Sequence, residues 1–263
     1  MKSRAEYSWF SVLNPNSKAS VKLFCFPYAG GGTAIFRKWP GLLPPAIEVL
    51  PAYLPGRESR MKEARFTDLR PLVEAIAEAI LPHLDRPFAF FGHSMGGTIG
   101  YELARALRSR HQLEPVRLFI SGRRAPQIPP KSPATYDLPE DEFVETLRSL
   151  NGIPGEVLDN RELMQLVMPL LRADFEICQT YDYIPGEPLT CPITVLGGLQ
   201  DVEVPREDLN AWKEQTTSTC SVCMFPGDHF FINTSQLQIL RVIARDLYQH
   251  ANVMQPVWWE HAR

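Results

Sequence analysis

An α/β fold with a mostly parallel central sheet and helices on both faces is predicted by three observations. Short apolar strand-like segments alternate with helical patterns along the chain. One of those strands breaks into Gly92-His93-Ser94-Met95-Gly96 and leads into a helical pattern, a strand–turn–helix arrangement. The length, 263 residues, suits one large α/β domain with room for an inserted subdomain.

Taken in order, strand-like segments fall at Val21–Phe26, Ile47–Leu54, Phe88–Gly92, Val116–Ser121, Ile193–Leu196 and Thr219–Phe225. Helical patterns cover Leu69–Leu84 and Thr98–Arg110, the latter with Ile99, Leu103, Ala106 and Leu107 at helical spacing. A C-terminal helix is expected over Gln236–Gln249, with Leu237, Leu240, Ile243, Ala244 and Leu247 on its buried side.

The rhythm is interrupted between Arg123 and Glu187. A proline-rich loop (Pro126, Pro129, Pro130, Pro133) leads into two helical patterns there. The first begins near Pro139-Glu140-Asp141-Glu142, whose acids suit an N-terminal turn, and ends around Asn151-Gly152. The second runs from Arg161 to Tyr181 and carries Leu163, Leu166, Val167, Leu170, Leu171 and Phe175. The expected division is therefore a core over 1–122 and 188–263, with 123–187 inserted as a helical lid. An extra pair of core helices is the alternative, and Met164 and Met168 fit either.

Composition narrows the class. Hydrophobic content of 44% and charged content of 22% are those of an ordinary globular protein. A net charge of −3 gives no reason to expect nucleic acid or an anionic membrane as partner. The segment Met1 to Phe10 has no apolar run of signal-peptide type and nothing approaches a transmembrane span, so a cytoplasmic protein is expected. Five cysteines fit reduced thiols better than a disulfide framework. Cys220 and Cys223 have Cys-x-x-Cys spacing but sit inside a strand pattern, without the helix N-terminus of a redox pair or a second ligand pair for zinc.

The chemistry concentrates at Gly-x-Ser-x-Gly. A serine on so sharp a turn holds its hydroxyl above the sheet, as in the nucleophile elbow of α/β-hydrolases, and Ser94 is the candidate nucleophile. A hydroxyl needs a base. Of six histidines, His93 lies within the turn, His83 and His111 lie near helix ends, and His250 and His261 lie near the C-terminus. His229, in Pro226-Gly227-Asp228-His229, follows the last strand and would overhang the same sheet edge as Ser94. Asp201, in the loop after Ile193–Leu196, is the expected acid partner of the base. Asp228 is its rival, but adjacent side chains on an extended loop tend to point apart. Two N–H donors are needed for an oxyanion. Met95, after the nucleophile, supplies one, and the glycine-rich loop Pro27-Tyr28-Ala29-Gly30-Gly31-Gly32 the other, with Ala29 ahead of Tyr28. That loop lacks the spacing and lysine of a nucleotide site. No metal or other cofactor is called for.

Together these residues resemble the type II thioesterases that serve polyketide and nonribosomal peptide synthases. The resemblance runs through Phe26-Pro27-Tyr28-Ala29-Gly30-Gly31, Leu54-Pro55-Gly56-Arg57, Gly92–Gly97 and Ser121-Gly122-Arg123-Arg124-Ala125-Pro126. It continues in Leu170-Leu171-Arg172-Ala173-Asp174-Phe175, Gly197–Asp201 and Pro226–Phe231. It implies hydrolysis of acyl groups from the phosphopantetheine arm of carrier proteins, an editing task, with Ser94, Asp201 and His229 as triad and Met95 and Ala29 as oxyanion donors. The implied partner is an acidic carrier domain met transiently, and nothing in the sequence demands more than a monomer. Basic groups that could meet it are Arg57, Arg60, Lys62 and Arg65 in one cluster, and Arg123, Arg124 and Lys131 in another. A small-ester carboxylesterase on the same fold, or a non-catalytic acyl-chain binding module, are the alternative readings. Trp258 and Trp259 could pack on the domain or form a contact patch.

Overall fold

The computed structural model describes residues 9–10 and 15–250, so Trp258, Trp259, His261 and the two chain ends of the expected core lie outside the described residues. Six strands form one sheet: β1 (Val21–Phe26), β2 (Ile47–Pro51), β3 (Phe88–His93), β4 (Arg117–Ser121), β5 (Ile193–Gly198) and β6 (Cys220–Phe225). All neighbours pair in parallel, in the order β2-β1-β3-β4-β5-β6. Every residue of β1, β2, β3 and β5 is buried, which is why these strands read as mostly apolar runs, interrupted only by Lys22, Glu48, His93 and Thr194.

The helices are α1 (Leu69–Ile80), α2 (Met95–His111), α3 (Glu140–Ser149), α4 (Gly155–Leu158), α5 (Arg161–Thr180), α6 (Arg206–Asn210), α7 (Phe231–Thr234) and α8 (Gln236–Leu247). Strand side chains alternate between the faces. Phe24, Phe26, Phe90, Leu118, Ile120, Ile193 and Val195 pack under α1 and α2. Leu23, Cys25, Ala89, Phe91, Phe119 and Leu196 pack on the other face under Ile239, Leu240, Ile243 and Leu247 of α8. Cys220 and Cys223, three apart on β6, join opposite faces of the sheet.

Some elements differ from the sequence expectation. The pattern over Leu69–Leu84 gives α1 only to Ile80, then a 3-10 turn containing Pro82. Helix α2 begins at Met95, three residues before the apolar periodicity starts, because Gly96 and Gly97 carry no side chain to show it. Leu237 is exposed and Ile239 takes the buried place on α8. Between β4 and β5, a third short helix, α4, joins the two expected ones. Phe143, Leu147, Leu158, Met164, Met168 and Leu171 form a satellite apolar cluster separate from the two sheet faces. Leu163 and Leu166 of α5 stay outside it, 43% and 55% exposed. No described helix is long and apolar enough to cross a membrane.

Strand order reverses between β1 and β3: the chain steps outward from β1 to β2, then returns to β3 and proceeds the other way. At such a switch point the loops leaving the carboxyl ends of the two central strands diverge and leave a crevice. The loop after β1 carries Tyr28–Gly32, and the turn after β3 carries Ser94.

Candidate active site

Ser94 stands between β3 and α2 with φ 52° and ψ −113°, a conformation costing a non-glycine residue about 1–3 kcal/mol. The surroundings enforce it. Its N–H donates to the Ser121 carbonyl at 2.7 Å, fastening the turn to the end of β4. A Cβ on Gly92 would lie 1.9 Å from the Gly96 carbonyl oxygen, and one on Gly96 would lie 2.1 Å from the Phe26 carbonyl oxygen. Only glycines allow the turn to close this tightly and α2 to start directly against the end of β1. That contact brings the first N–H groups of α2 beside the loop carrying Ala29. Met95, as the first helical residue, has no intrahelical acceptor for its N–H. Among the described residues the Ala29 N–H donates to no acceptor either.

His229 lies in the loop after β6. Its Nδ1 and Asp201 Oδ2 are 2.8 Å apart. The Asp201 side chain is buried, and its Oδ1 accepts from the Glu203 N–H at 2.9 Å and the Val204 N–H at 3.1 Å. Both carboxylate oxygens are thus used, which fixes the plane presented to the imidazole. Asp228 behaves otherwise: it is exposed and accepts from the Phe230 N–H at 2.9 Å, closing its own turn. A Cβ on Gly122, next to the Ser121 that holds Ser94, would sit 3.5 Å from His229 Cε1. The imidazole therefore lies against the segment that anchors the elbow, with Nδ1 committed to Asp201.

His93 is wholly buried beneath this ring, their centroids 5.4 Å apart, and its Nδ1 lies 2.8 Å from Ser121 Oγ. Burial, reinforced by the neighbouring His229, pushes the His93 imidazole well below its ordinary pKa. Ser121, holding Ser94 by its carbonyl and His93 by its hydroxyl, is a structural part of the site that spacing did not single out.

The basic residues require a correction. Arg57 is not on the surface: it is 7% exposed, and its guanidinium is bound by Asp174 and the Gly31 carbonyl. Arg60 is likewise buried, bound to Glu63 and the Tyr53 carbonyl, with its guanidinium over the Trp9 ring. Spacing could not reveal this, because Asp174 lies 117 residues from Arg57. Arg123 and Arg124 are half-buried; Arg124 donates to the carbonyls of Pro129 and Glu203. Lys131 is exposed but paired with Asp208 at 2.8 Å. Lys62 and Arg65 are exposed.

The thioesterase domain model matches residues 21–247, from the first strand to the end of α8. The chain belongs to the thioesterase family. This thioesterase is 48% identical over 239 residues to the gramicidin S biosynthesis protein GrsT of Aneurinibacillus migulanus, covering 91% of this chain and 93% of GrsT. Among solved structures it is similar to RedJ, a thioesterase from the prodiginine biosynthetic pathway of Streptomyces coelicolor. The TM-score is 0.83 and the identity 36%, over 87% of this chain and 91% of RedJ. It is also similar to BorB, a type II thioesterase from the borrelidin biosynthetic cluster, with a TM-score of 0.84 and 32% identity over 91% and 98% of the two chains. The sheet with its flanking helices is thus the α/β-hydrolase arrangement of these thioesterases, and the enzyme is a thioester hydrolase.

Proposed function

We propose that this thioesterase clears aberrant or stalled acyl groups from the phosphopantetheine arm of acyl or peptidyl carrier domains of a polyketide or nonribosomal peptide synthase. Ser94 serves as nucleophile, His229 as base, Asp201 as its acid partner, and the N–H groups of Met95 and Ala29 as oxyanion donors. The observation carrying this reading is the His229–Asp201 hydrogen bond of 2.8 Å above the Ser121–Gly122 segment that anchors Ser94.

In the first half-reaction His229 Nε2 takes the hydroxyl proton as Ser94 Oγ attacks the thioester carbonyl carbon. The carbonyl oxygen becomes an oxyanion and accepts from the two free N–H groups. The C–S bond then breaks, and the arm leaves as a thiolate that takes up the proton held on His229. In the second half-reaction water gives a proton to His229 and its oxygen attacks the acyl-serine. The C–O bond to Ser94 breaks, Oγ recovers the proton, and the free acid departs. Asp201 holds the imidazole in the tautomer that leaves Nε2 unprotonated at rest.

Segment 123–187 serves as the lid in this reading. Its satellite apolar cluster is independent of the sheet core, and Pro169 interrupts hydrogen bonding midway along α5. Arg57 plays no part in carrier contact. Lys62, Arg65 and Lys131 are the exposed cations for a weak, salt-sensitive encounter with an acidic carrier, with Arg123 and Arg124 at its edge. The enzyme works as a monomer that meets its carrier transiently.

The test compares acetyl- or propionyl-phosphopantetheinyl carrier protein with the matching acyl-coenzyme A and nitrophenyl ester. Faster clearance of the loaded carrier supports the reading. Rapid cleavage of free esters with the carrier ignored identifies a small-ester esterase and overturns it.

A further inference from the structure

The Arg57–Asp174 pair is the most completely buried ion pair among the described residues, and it lies against the loop that carries Ala29. Asp174 is 2% exposed. Its Oδ1 accepts from Arg57 Nη2 at 2.8 Å. Its Oδ2 accepts twice, from Arg57 Nη1 at 2.9 Å and from the Gly30 N–H at 2.7 Å. Arg57 Nη1 also donates to the Gly31 carbonyl at 2.9 Å. Each partner of the pair therefore grips one backbone group of the loop immediately after Ala29.

The same helix touches the loop a second time. Gly30 has φ +76°, and a Cβ there would lie 2.5 Å from Leu171 Cδ2. Leu171 and Asp174 are three apart on α5 and share one face. One packs on Gly30 and the other bonds its N–H. On the far side of the loop, Glu58 accepts from the Thr33 N–H at 3.1 Å and from its hydroxyl at 2.8 Å.

Replacing a buried ion pair with apolar groups of similar volume is often neutral or stabilising, so the pair is weak evidence of a stability device. What an apolar pair would not supply is an acceptor for the Gly30 N–H and a donor for the Gly31 carbonyl. The Gly30 N–H belongs to the Ala29–Gly30 peptide plane. Holding it fixes ψ of Ala29, one rotation away from the N–H that donates to the oxyanion.

We propose that Asp174 and Arg57 are positioning residues for the oxyanion hole. From helix α5 and the loop after β2 they lock the Ala29–Gly31 backbone so that the Ala29 N–H points at the developing oxyanion. This rests on the proposed reading of Ser94 and Ala29. Its effect falls on the transition state rather than on substrate binding, because Asp174 and Arg57 face the loop and not the crevice.

The test uses Asp174→Asn, the double variant Arg57→Met/Asp174→Leu, and Ser94→Ala. Steady-state kinetics on an acyl-carrier, affinity for an acyl trifluoromethyl ketone that forms an anionic adduct, and urea midpoints are measured for each. Asp174→Asn is expected to lower kcat about 10- to 100-fold with KM within about twofold, and to weaken trifluoromethyl ketone binding in parallel. The double variant is expected to keep a urea midpoint close to the wild type's or somewhat below it, because the Gly30 N–H and the Gly31 carbonyl lose their partners, while kcat stays low. It supplies the kinetic answer should Asp174→Asn fail to fold. A double variant with wild-type kcat and inhibitor affinity, or a variant that raises KM at unchanged kcat, overturns the proposal. Ser94→Ala separates the two failures: if it still turns over, the reading of the site falls, whatever Asp174 does.

Discussion

At the scale of single residues, the site is set by what each polar group already bonds. Asp201 spends both oxygens on three N–H donors, one of them His229, while Asp228 spends its own on Phe230. Asp201→Asn is therefore expected to lower kcat by several orders of magnitude, since an amide there favours the wrong imidazole tautomer. Asp228→Asn should change it less than about tenfold, and steady-state turnover of the two variants checks the order. His93 gives a prediction in pH. Its folded pKa is depressed by burial, so the unfolded chain binds the extra proton first as pH falls. Its contribution is fully present above the ordinary histidine value of about 6.5 and is lost as pH falls below it. Urea midpoints should drop from pH 7 to pH 5 more in the wild type than in His93→Gln. The candidate positions Ser94 and His229 were legible because both follow strands ending at one sheet edge. The burial of Arg57 was not, since nothing local marks a cation whose partner arrives from another helix.

At the scale of elements, legibility followed burial on two sides. Strands β1, β2, β3 and β5 carry side chains sealed on both faces, so an apolar run located them to within a few residues. Helices with one buried face were found, but their edges slipped. Periodicity put Leu163 and Leu166 in the apolar set of α5 beside Met164, Met168 and Leu171, but only the last three of these join the satellite cluster. The start of α2 was hidden because its first turn is built of glycine. That turn yields a sharp prediction. Gly96→Ala would set a methyl 2.1 Å from the Phe26 carbonyl oxygen, where backbone on both sides leaves no side chain to yield. The variant should lose about 3 kcal/mol or more of stability in urea unfolding, at the upper end of overpacking costs.

At the scale of the whole molecule, the reversal of strand order gathers the pieces. The loops after β1 and β3 diverge at the switch point and bring Ala29, Ser94 and Met95 together, while β5 and β6 deliver Asp201 and His229 from the same edge. Helix α5 then closes on the β1 loop through Leu171 and Asp174. The fold class could be read from the α/β alternation, whereas the thioester chemistry came from the resemblance of the motifs to type II thioesterases. How α5 meets the core could not be read, because it depends on tertiary contacts between residues far apart in sequence. If Ser94 is the acyl acceptor, mixing enzyme with acetyl-carrier labelled in the acetyl group and quenching early should place the label on the peptide containing Ser94. The Ser94→Ala variant should then show neither label nor hydrolysis. Release of labelled acetate by Ser94→Ala at near wild-type rate, or hydrolysis by the wild type with no label ever on that peptide, would contradict the account.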